Sequence, residues 1–476
     1  MSSRLKFATL GVAVVALAYG ATSWYAGRFT QQSIESWVAQ ANQEIQLRWH
    51  QEGPRPQLVL ADYQRGVFKS QVRYVFEFQD SDGATQRLTV QDDLQHGPWP
   101  LAAIQAGIWQ PLAAYSHLQP VSDGTWKSWF DITPDAQAPW SATTQVGFGG
   151  QIDSLVTVLP VRLNNDGQLD FSGGTIAIHH APDTRQTQVS GQAKSLAITD
   201  EDGASKLQLQ EIRFQGQSTS GSQADFQSSQ EIHLASLQLE GPDMPPVRLD
   251  QPSAQIDMAR TGSLLDARVH YDLGKLFIDQ QDVGTIQLNV SSQQLDVDAL
   301  QAFMQAVDQL PDDPDYEDLS AADQQLLKTR LLSVLATSPV LALDSLTWST
   351  PKGKTDLHAR IQFRPVVEPV PEDSGALIER GIQQIKLSAG VSKPMLMSVL
   401  AQAQSSSEGA FGAALFSMIF DQYVGQLLQA DLVREQDGQV RTDITYADGQ
   451  VSVNGQAAVT PDEFMQQLDA VLGMGD

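Results

Sequence analysis

The chain carries 56 acidic against 30 basic side chains in 476 residues, a formal net charge of −26, which repels phosphate backbones and sets nucleic-acid binding aside. It has no cysteine, so disulfides, thiolate metal sites, thiol catalysis and lipoprotein acylation are excluded as well. Its length leaves room for two or three domains, or for one elongated sheet-based body.

The first element is apolar. Arg4 and Lys6 precede residues 7–25, FATLGVAVVALAYGATSWY, an uncharged run of nineteen, long enough to span about 30 Å of hydrocarbon as a helix. The basic residues come first, so the N-terminus is expected in the cytoplasm and everything after Arg28 on the far side. The rival reading is a signal peptide cut after Ala16-Leu17-Ala18. Both export the rest of the chain. Thr30 to Leu47 follows with helical spacing in Ile34, Trp37, Val38, Ala41 and Ile45, a stripe expected to pack on the body.

From Leu58 the pattern becomes strand-like. Asp82-Gly83, Asp123-Gly124, Asp166-Gly167, Asp202-Gly203, Asp437-Gly438, Asp448-Gly449 and Asn454-Gly455 are pairs that tolerate positive φ in tight hairpins, so a chiefly antiparallel sheet is expected. Between about Leu155 and Val297 the strands run in unbroken series. Within it KLQLQEIRFQG sets Leu207 and Leu209 on one parity and Ile212 and Phe214 on the other, and the step recurs: Ile232 and Leu234 then Leu237 and Leu239; Tyr271 and Leu273 then Leu276 and Ile278; farther on, Leu341 and Leu343 then Leu346 and Trp348. An extra residue held in a β-bulge would return both pairs to one face of a bent strand and curl the sheet into a trough. The competing account is a corner between two sheets. The bulge is expected because Gln210-Glu211 and Ala235-Ser236 are poor tight-turn residues.

Helices are expected at Val297–Leu310 and Leu319–Thr337, a hairpin at Val340–Phe363, and a proline-rich connector at Arg364–Gly375. A strand near Ile382–Val391, helices from Met395 and Phe411 and a hairpin around Tyr446–Asn454 follow. Thr460 opens a closing helix, with Glu463 at the capping-box position. The regions are thus 1–28, an anchor; 29–154, α+β; 155–297, an antiparallel meander; 298–365, a helical insertion and hairpin; and 366–476, an α+β region completing the sheet. The fold class is α+β and β-rich: a transmembrane helix, then a long curved, mainly antiparallel sheet with covering helices.

Motifs that carry chemistry are scarce. PKGKT lacks the phosphate-loop glycine, whose place Trp348 takes. Ser349 to Lys352 matches S-x-x-K without its companion motifs. Adjacent His179 and His180 on a strand face opposite ways and cannot chelate one ion. The acidic run Asp312–Asp318 lacks the glycine and closing glutamate of a calcium loop and reads as a dipole-favouring helix start. Gly409 to Gln429 is apolar nearly all round as far as Phe420; it reads as a buried helix over a sheet, or as a helix lining a lipid-sized groove. No catalytic, metal or cofactor residue is expected.

In SWYAGRF, in YQRGVFKS (Tyr63, Arg65, Gly66, Phe68), in HGPWPL (His96, Gly97, Pro98), in FSGG (Gly173, Gly174) and in YADGQVSVNG (Tyr446, Gly449, Asn454, Gly455), the chain resembles the YdgA/YihF-type bacterial envelope proteins, a family of unassigned function. The resemblance implies an inner-membrane anchor and a periplasmic body, and transfers no catalytic residue. A looser similarity of organisation links the chain to AsmA-like envelope proteins, associated with lipid handling. The expected function is non-enzymatic binding of lipid or another hydrophobic ligand in an apolar sheet groove, its candidate lining being Leu207, Leu209, Ile212, Phe214, Leu237, Leu239, Phe411, Phe416 and Phe420. The alternatives are a scaffold acting on envelope proteins through a sheet edge or apolar patch, and a carboxylate-dependent envelope hydrolase.

Overall fold

Tight turns with left-handed residues join most neighbouring strands. Asp437-Gly438, Asp448-Gly449 and Asn454-Gly455 all have positive φ in both residues, the backbone that matches the right-handed twist of a hairpin. The computed structural model describes residues 38–39, 41–42, 45, 56–79, 84–123, 127–165, 167–221, 225–242, 244–310, 319–366, 374–403 and 407–472. The expected membrane helix and the acidic run lie outside these residues. Among them, no helix is long and apolar enough to cross a membrane.

Two compact units form. One holds the chain up to Ser220 together with Ile232–Met244; the other holds Gly221–Glu231 and everything from Pro245 onward. The first contains β1 (Gln57–Arg65), β2 (Lys69–Gln79), β3 (Thr85–His96), α1 (Leu101–Gln105), β4 (Ala114–Pro120), α2 (Lys127–Phe130), β5 (Trp140–Val146) and β6 (Ile152–Val158). It continues with β7 (Val161–Asn165), β8 (Gly167–Phe171), β9 (Gly174–Ala181), β10 (Gln186–Thr199) and β11 (Lys206–Ser220). After β12 (Phe226–His233), most of which belongs to the second unit, β13 (Ser236–Gly241) closes it. The strands pair in the order β1-β2-β3-β4-β5-β6-β9-β10-β11-β13, with β8 and then β7 extending the sheet where β10 runs past β9.

One face of this sheet is the core. Leu58, Val72, Tyr74, Phe76, Leu88, Val90, Trp140, Ala142, Val156 and Ile178 are buried together, and Val38, Ala41, Ile45, Trp129 and Phe130 pack against them. The helical stripe after the expected anchor is therefore seated on the body. Asn42 secures it: its Nδ2 donates to the Leu58 carbonyl at 2.8 Å and its Oδ1 accepts from the Leu58 N–H at 2.7 Å, so one amide side chain serves an edge strand as a neighbouring peptide would. Asn42→Ala removes both bonds. Stability to urea should fall by about 1–2 kcal/mol, with the loss appearing as early proteolysis ahead of β1.

The second unit holds β14 (Met244–Asp250), β15 (Ser253–Thr261), β16 (Leu264–Ile278), β17 (Gln281–Asp296), α3 (Val297–Val307), α4 (Ala321–Leu335), β18 (Val340–Thr350) and β19 (Gly353–Phe363). Then come α5 (Ser374–Gly381), β20 (Ile382–Val391), α6 (Lys393–Ala403), α7 (Ser407–Gln429), β21 (Arg434–Gln436), β22 (Gln439–Ala447), β23 (Gln450–Val453) and α8 (Pro461–Leu472). Its sheet order is β15-β16-β17-β18-β19-β20-β22-β23, every pairing antiparallel. The capping box forms as expected: the Thr460 N–H donates to Glu463 Oε2 at 2.9 Å, and the Glu463 N–H to Thr460 Oγ1 at 3.3 Å.

The repeated three-residue step has three different structures. In β16, Leu273 and left-handed Gly274 stand opposite the single Ile286 of β17. In β18, Asp344 and Ser345 stand opposite His358 of β19. Both are bulges, and the second puts Leu341, Leu343, Leu346 and Trp348 on one face, because their partners Ile361, Ala359, Leu357 and Thr355 alternate without a break. The step at Leu234 is instead a break between strands: β12 pairs with β15, but β13 pairs with β11. In KLQLQEIRFQG no residue is gained, for β11 keeps one register against β10 on either side of Glu211, which takes φ 46. There the irregularity is shared by both strands, and Ser172 Oγ accepts the N–H groups of Lys194 and Ser195 at 3.1 and 2.9 Å.

Candidate functional site

Directly paired residues point to the same side of a sheet, so the register of the second unit identifies what each face carries. One rung reads Ile256, Val269, Val290, Leu343, Ala359, Leu387, Ile444, Val453 across eight strands. The rung to one side reads Ala254, Tyr271, Leu288, Leu346, Leu357, Ala389, Thr442; the rung to the other reads Met258, Ala267, Ser292, Leu341, Ile361, Ile385, Tyr446, Val451. These side chains form one apolar face, about 34 Å wide at ~4.8 Å per strand.

Cover is uneven. At the β22–β23 end the face is closed by Leu427 of α7 and by Phe464 and Leu468 of α8, which pack with Leu432, Val451 and Val453. Met395 of α6 is fully buried. In the middle and toward β15 the aliphatics are only half-buried, and Leu341 and Tyr271 keep 43% and 42% of their surface, with Val290 and Leu346 also exposed. A globular core does not leave such a row in water.

The opposite face is mainly polar and knit together, with Val340 and Ala342 buried on it. His270 Nδ1 meets Asn289 Oδ1 at 2.6 Å, and Asn289 Nδ2 donates to Ser345 Oγ at 2.8 Å. Asp356, with 4% of its surface exposed, takes Arg441 Nη2 and Gln439 Nε2, each at 3.1 Å. Burial opposes ionisation of the Asp356 carboxyl, but the Gln439 hydrogen bond and the Arg441 charge outweigh it and hold its pKa below the ordinary value.

The expected groove residues divide. Leu207 and Leu209 align with Leu239 and Leu237 on β13 and with Ile198 and Leu196 on β10, a second apolar row, in the first unit. Ile212 and Phe214 align with Ala193 and Gly191 and belong to a different row. The rings of Phe416 and Phe420 on α7 lie 6.0 Å apart, in the second unit, and the side chain of Phe411 lies outside the described residues. The structure therefore unites four of the nine. Rungs such as Val290–Leu343 depend on partners far apart in sequence, which is why the larger apolar face escaped single-strand patterning.

The family-motif residues gather chiefly at one end of the first unit. Tyr63 packs against the core, Arg65 closes β1, and Gly66 begins the turn into β2, where an added Cβ would lie 2.4 Å from the Lys69 carbonyl oxygen. The Phe68 carbonyl accepts from the His96 N–H at 2.8 Å, and His96 Nε2 meets Ser70 Oγ at 2.9 Å. Burial, and then the charge of Arg65, push the His96 pKa down. Gly97 donates to the Ala113 carbonyl and Pro98 accepts from Leu112. Tyr63, Arg65, Gly66, Phe68, His96, Gly97 and Pro98 are thus one assembly. Gly173, at φ 77, lets the chain pass Val158, beside an open cleft of about 980 Å³ of mixed lining, with Arg162, Asp170 and Lys206 alongside Phe171, Leu196 and Leu209. Tyr446 joins the α7–α8 core, and Gly449, Asn454 and Gly455 make the last turns. His179 and His180 take separate partners, Asp153 at 2.6 Å and Thr187 at 2.9 Å.

What these features define is a β-rich protein with a large antiparallel sheet, whose strands in the second unit present a broad, partly open apolar face. A model of the family described as bacterial protein of unknown function (DUF945) matches residues 3–459, and the chain belongs to that family. It is similar to Protein YdgA of Escherichia coli (strain K12), 22% identical over 460 residues, covering 91% of this chain and 90% of that protein. It is also similar to Uncharacterized protein YihF of the same organism, 21% identical over 496 residues, covering 97% of this chain and 98% of that one. No solved structure matches the chain.

Proposed function

We propose that this protein is a non-enzymatic, membrane-tethered component of the bacterial envelope, its body in the periplasm, and that the open apolar face of its second unit holds an acyl chain or a comparable hydrophobic ligand. The tether rests on the uncharged run at residues 7–25 behind Arg4 and Lys6. The ligand rests on one observation, the three apolar rungs whose central side chains are left partly in water. Covering them removes apolar surface at about 25 cal/mol per Å², and an acyl chain is long, thin and without polar demands. It suits a face whose centre is Val290, Leu288, Leu343, Leu346, Leu357 and Ile361, with hydroxyl groups only at Tyr271, Ser292, Thr442 and Tyr446.

Benzoylphenylalanine placed at Leu346 in the full chain, irradiated in intact cells, should yield lipid adducts. The same probe at Thr347, on the polar face, should not. Lipid labelling no stronger at Leu346 than at Thr347 removes the reading. A scaffold role has one feature in its favour: Leu415, Met418 and Ile419 form an exposed apolar stripe along α7, the spacing that docks a helix into a partner's groove. Protein adducts from a probe at Met418, with no lipid adduct at Leu346, would replace the first reading by this one.

A further inference from the structure

A single rung crosses seven strands of the first unit: Arg65, Ser70, Leu94, Ser116, Thr144, Ser154 and Ile178. Everything beyond it on one side belongs to connections at one end of the sheet. Those connections carry six large apolar side chains in water. Val67 and Phe68, in the β1–β2 turn, are 84% and 80% exposed; Trp109, ahead of β4, is 74% exposed; Trp99, Leu101 and Phe148 are exposed as well. They stand on three connections, two on β1–β2, three on β3–β4 and one on β5–β6, so they make a set of separate apolar tips and not a continuous groove for a peptide.

The backbone beneath is held firmly. His96 bonds Phe68 through its main chain and Ser70 through its ring, and Gly97 lies against the Leu112 carbonyl so closely that a Cβ would sit 2.0 Å from it.

Charge is distributed to match. The residues on or beyond that rung, 65–70, 94–116, 144–154 and 178–186, contain two acids. At the chain's average of 56 acids in 476 residues, about six would fall in those stretches. Arg65 and Lys69 flank the Val67–Phe68 tip, and Arg185 lies in the neighbouring β9–β10 turn. The acids at this end are Asp153, which is bonded to His179, and Asp183 in that same turn. A surface poor in carboxylates within a strongly acidic chain suits a negatively charged plane, and tryptophan, phenylalanine and leucine tips flanked by cations are the side chains that settle at a bilayer interface.

We propose that this end of the first unit docks on a bilayer surface bearing anionic phospholipid, with Phe68, Trp99, Trp109 and Phe148 entering the interface and Arg65 and Lys69 meeting headgroups. The surface shares no residue with the apolar face of the second unit, so either can fail alone.

The absence of cysteine makes the test direct. Single variants Val67→Cys and Phe148→Cys of the full chain, labelled with an environment-sensitive fluorophore and reconstituted in vesicles of phosphatidylethanolamine and phosphatidylglycerol, should shift to shorter wavelength and be quenched by lipid-borne nitroxide. A label at Arg87→Cys, exposed toward the other end of the sheet, should do neither. Charge reversal at both Arg65→Glu and Lys69→Glu should cut quenching of the Phe148→Cys label at least threefold in these vesicles and leave it unchanged in phosphatidylcholine. Loop labels that remain as wet as the Arg87→Cys control in every vesicle overturn the proposal, as does shielding that appears only when envelope proteins are added.

Discussion

Arg441→Leu should lower the stability of the second unit by about 3 kcal/mol at neutral pH, because it strands a buried carboxylate. Asp356 lies inside the sheet with Arg441 and Gln439 as its near partners; Lys354 and His358 reach it more distantly, at 3.9 and 3.5 Å, from exposed positions. The pH dependence distinguishes this from lost packing. In the native protein the folded pKa of Asp356 is lowered, so its contribution is present in full above the ordinary carboxyl value and is lost as pH falls through the lowered folded one. Without Arg441 one of the influences that hold the pKa down is gone, so the folded pKa of Asp356 should rise. The deficit of the variant should then be smaller at mildly acidic than at neutral pH, because the group takes up its proton more readily than in the native protein. Urea titrations at both pH values measure it. Equal deficits at the two, or a loss under about 1 kcal/mol, would show that the guanidinium does not hold this carboxylate. Adding Asp356→Leu to the variant should recover most of the loss.

Gly97→Val should be at least as damaging, at about 3 kcal/mol or more, and confined to the first unit. The new Cβ would meet the Leu112 carbonyl oxygen at 2.0 Å and that of Ala113 at 3.0 Å. Both walls are main chain already engaged in hydrogen bonds, since the Gly97 N–H donates to Ala113 and the Leu112 N–H to Pro98, so neither can yield as a side-chain tip would. Gly107→Ala is the contrast. Nothing lies within 4 Å of its Cβ and only its φ of 82 opposes the change, so about 1 kcal/mol is expected. Thermal unfolding should rank the two; a Gly97→Val protein that melts with the native one would mean the loop can open at no cost.

Where structure depends on neighbours a few residues apart, the chain was readable. The hairpin Val340–Phe363, the strand Ile382–Val391 and the Thr460–Glu463 capping box stand where the pattern places them, because turn residues and caps act within one or two turns of chain. The helices at Val297–Val307 and Ala321–Leu335 end two or three residues short of expectation, the first closing in turns at Asp308 and Leu310 and the second ahead of left-handed Ser338. The three-residue step was harder. One sequence signature became a bulge in β16 and β18, a break with change of partner between β12 and β13, and a shared irregularity at Glu211. Which of them forms depends on the strand alongside, and that strand can lie dozens of residues away.

The motif residues show the same division. Glycine and Asx-Gly pairs announced turns, but nothing local says that YQRGVFKS and HGPWPL meet through His96 and Ser70, 26 residues apart. Leucine spacing announced apolar strand faces, yet the continuous face of the second unit exists because Val290 finds Leu343 and Leu343 finds Ala359. Local pattern settled the class, the hairpins and the absence of thiol chemistry, since these follow from side-chain type and short-range backbone preference. Long-range pairing settled which apolar rows merge, which stay wet and which loops share an end, since register is a property of two strands together and no single strand encodes it.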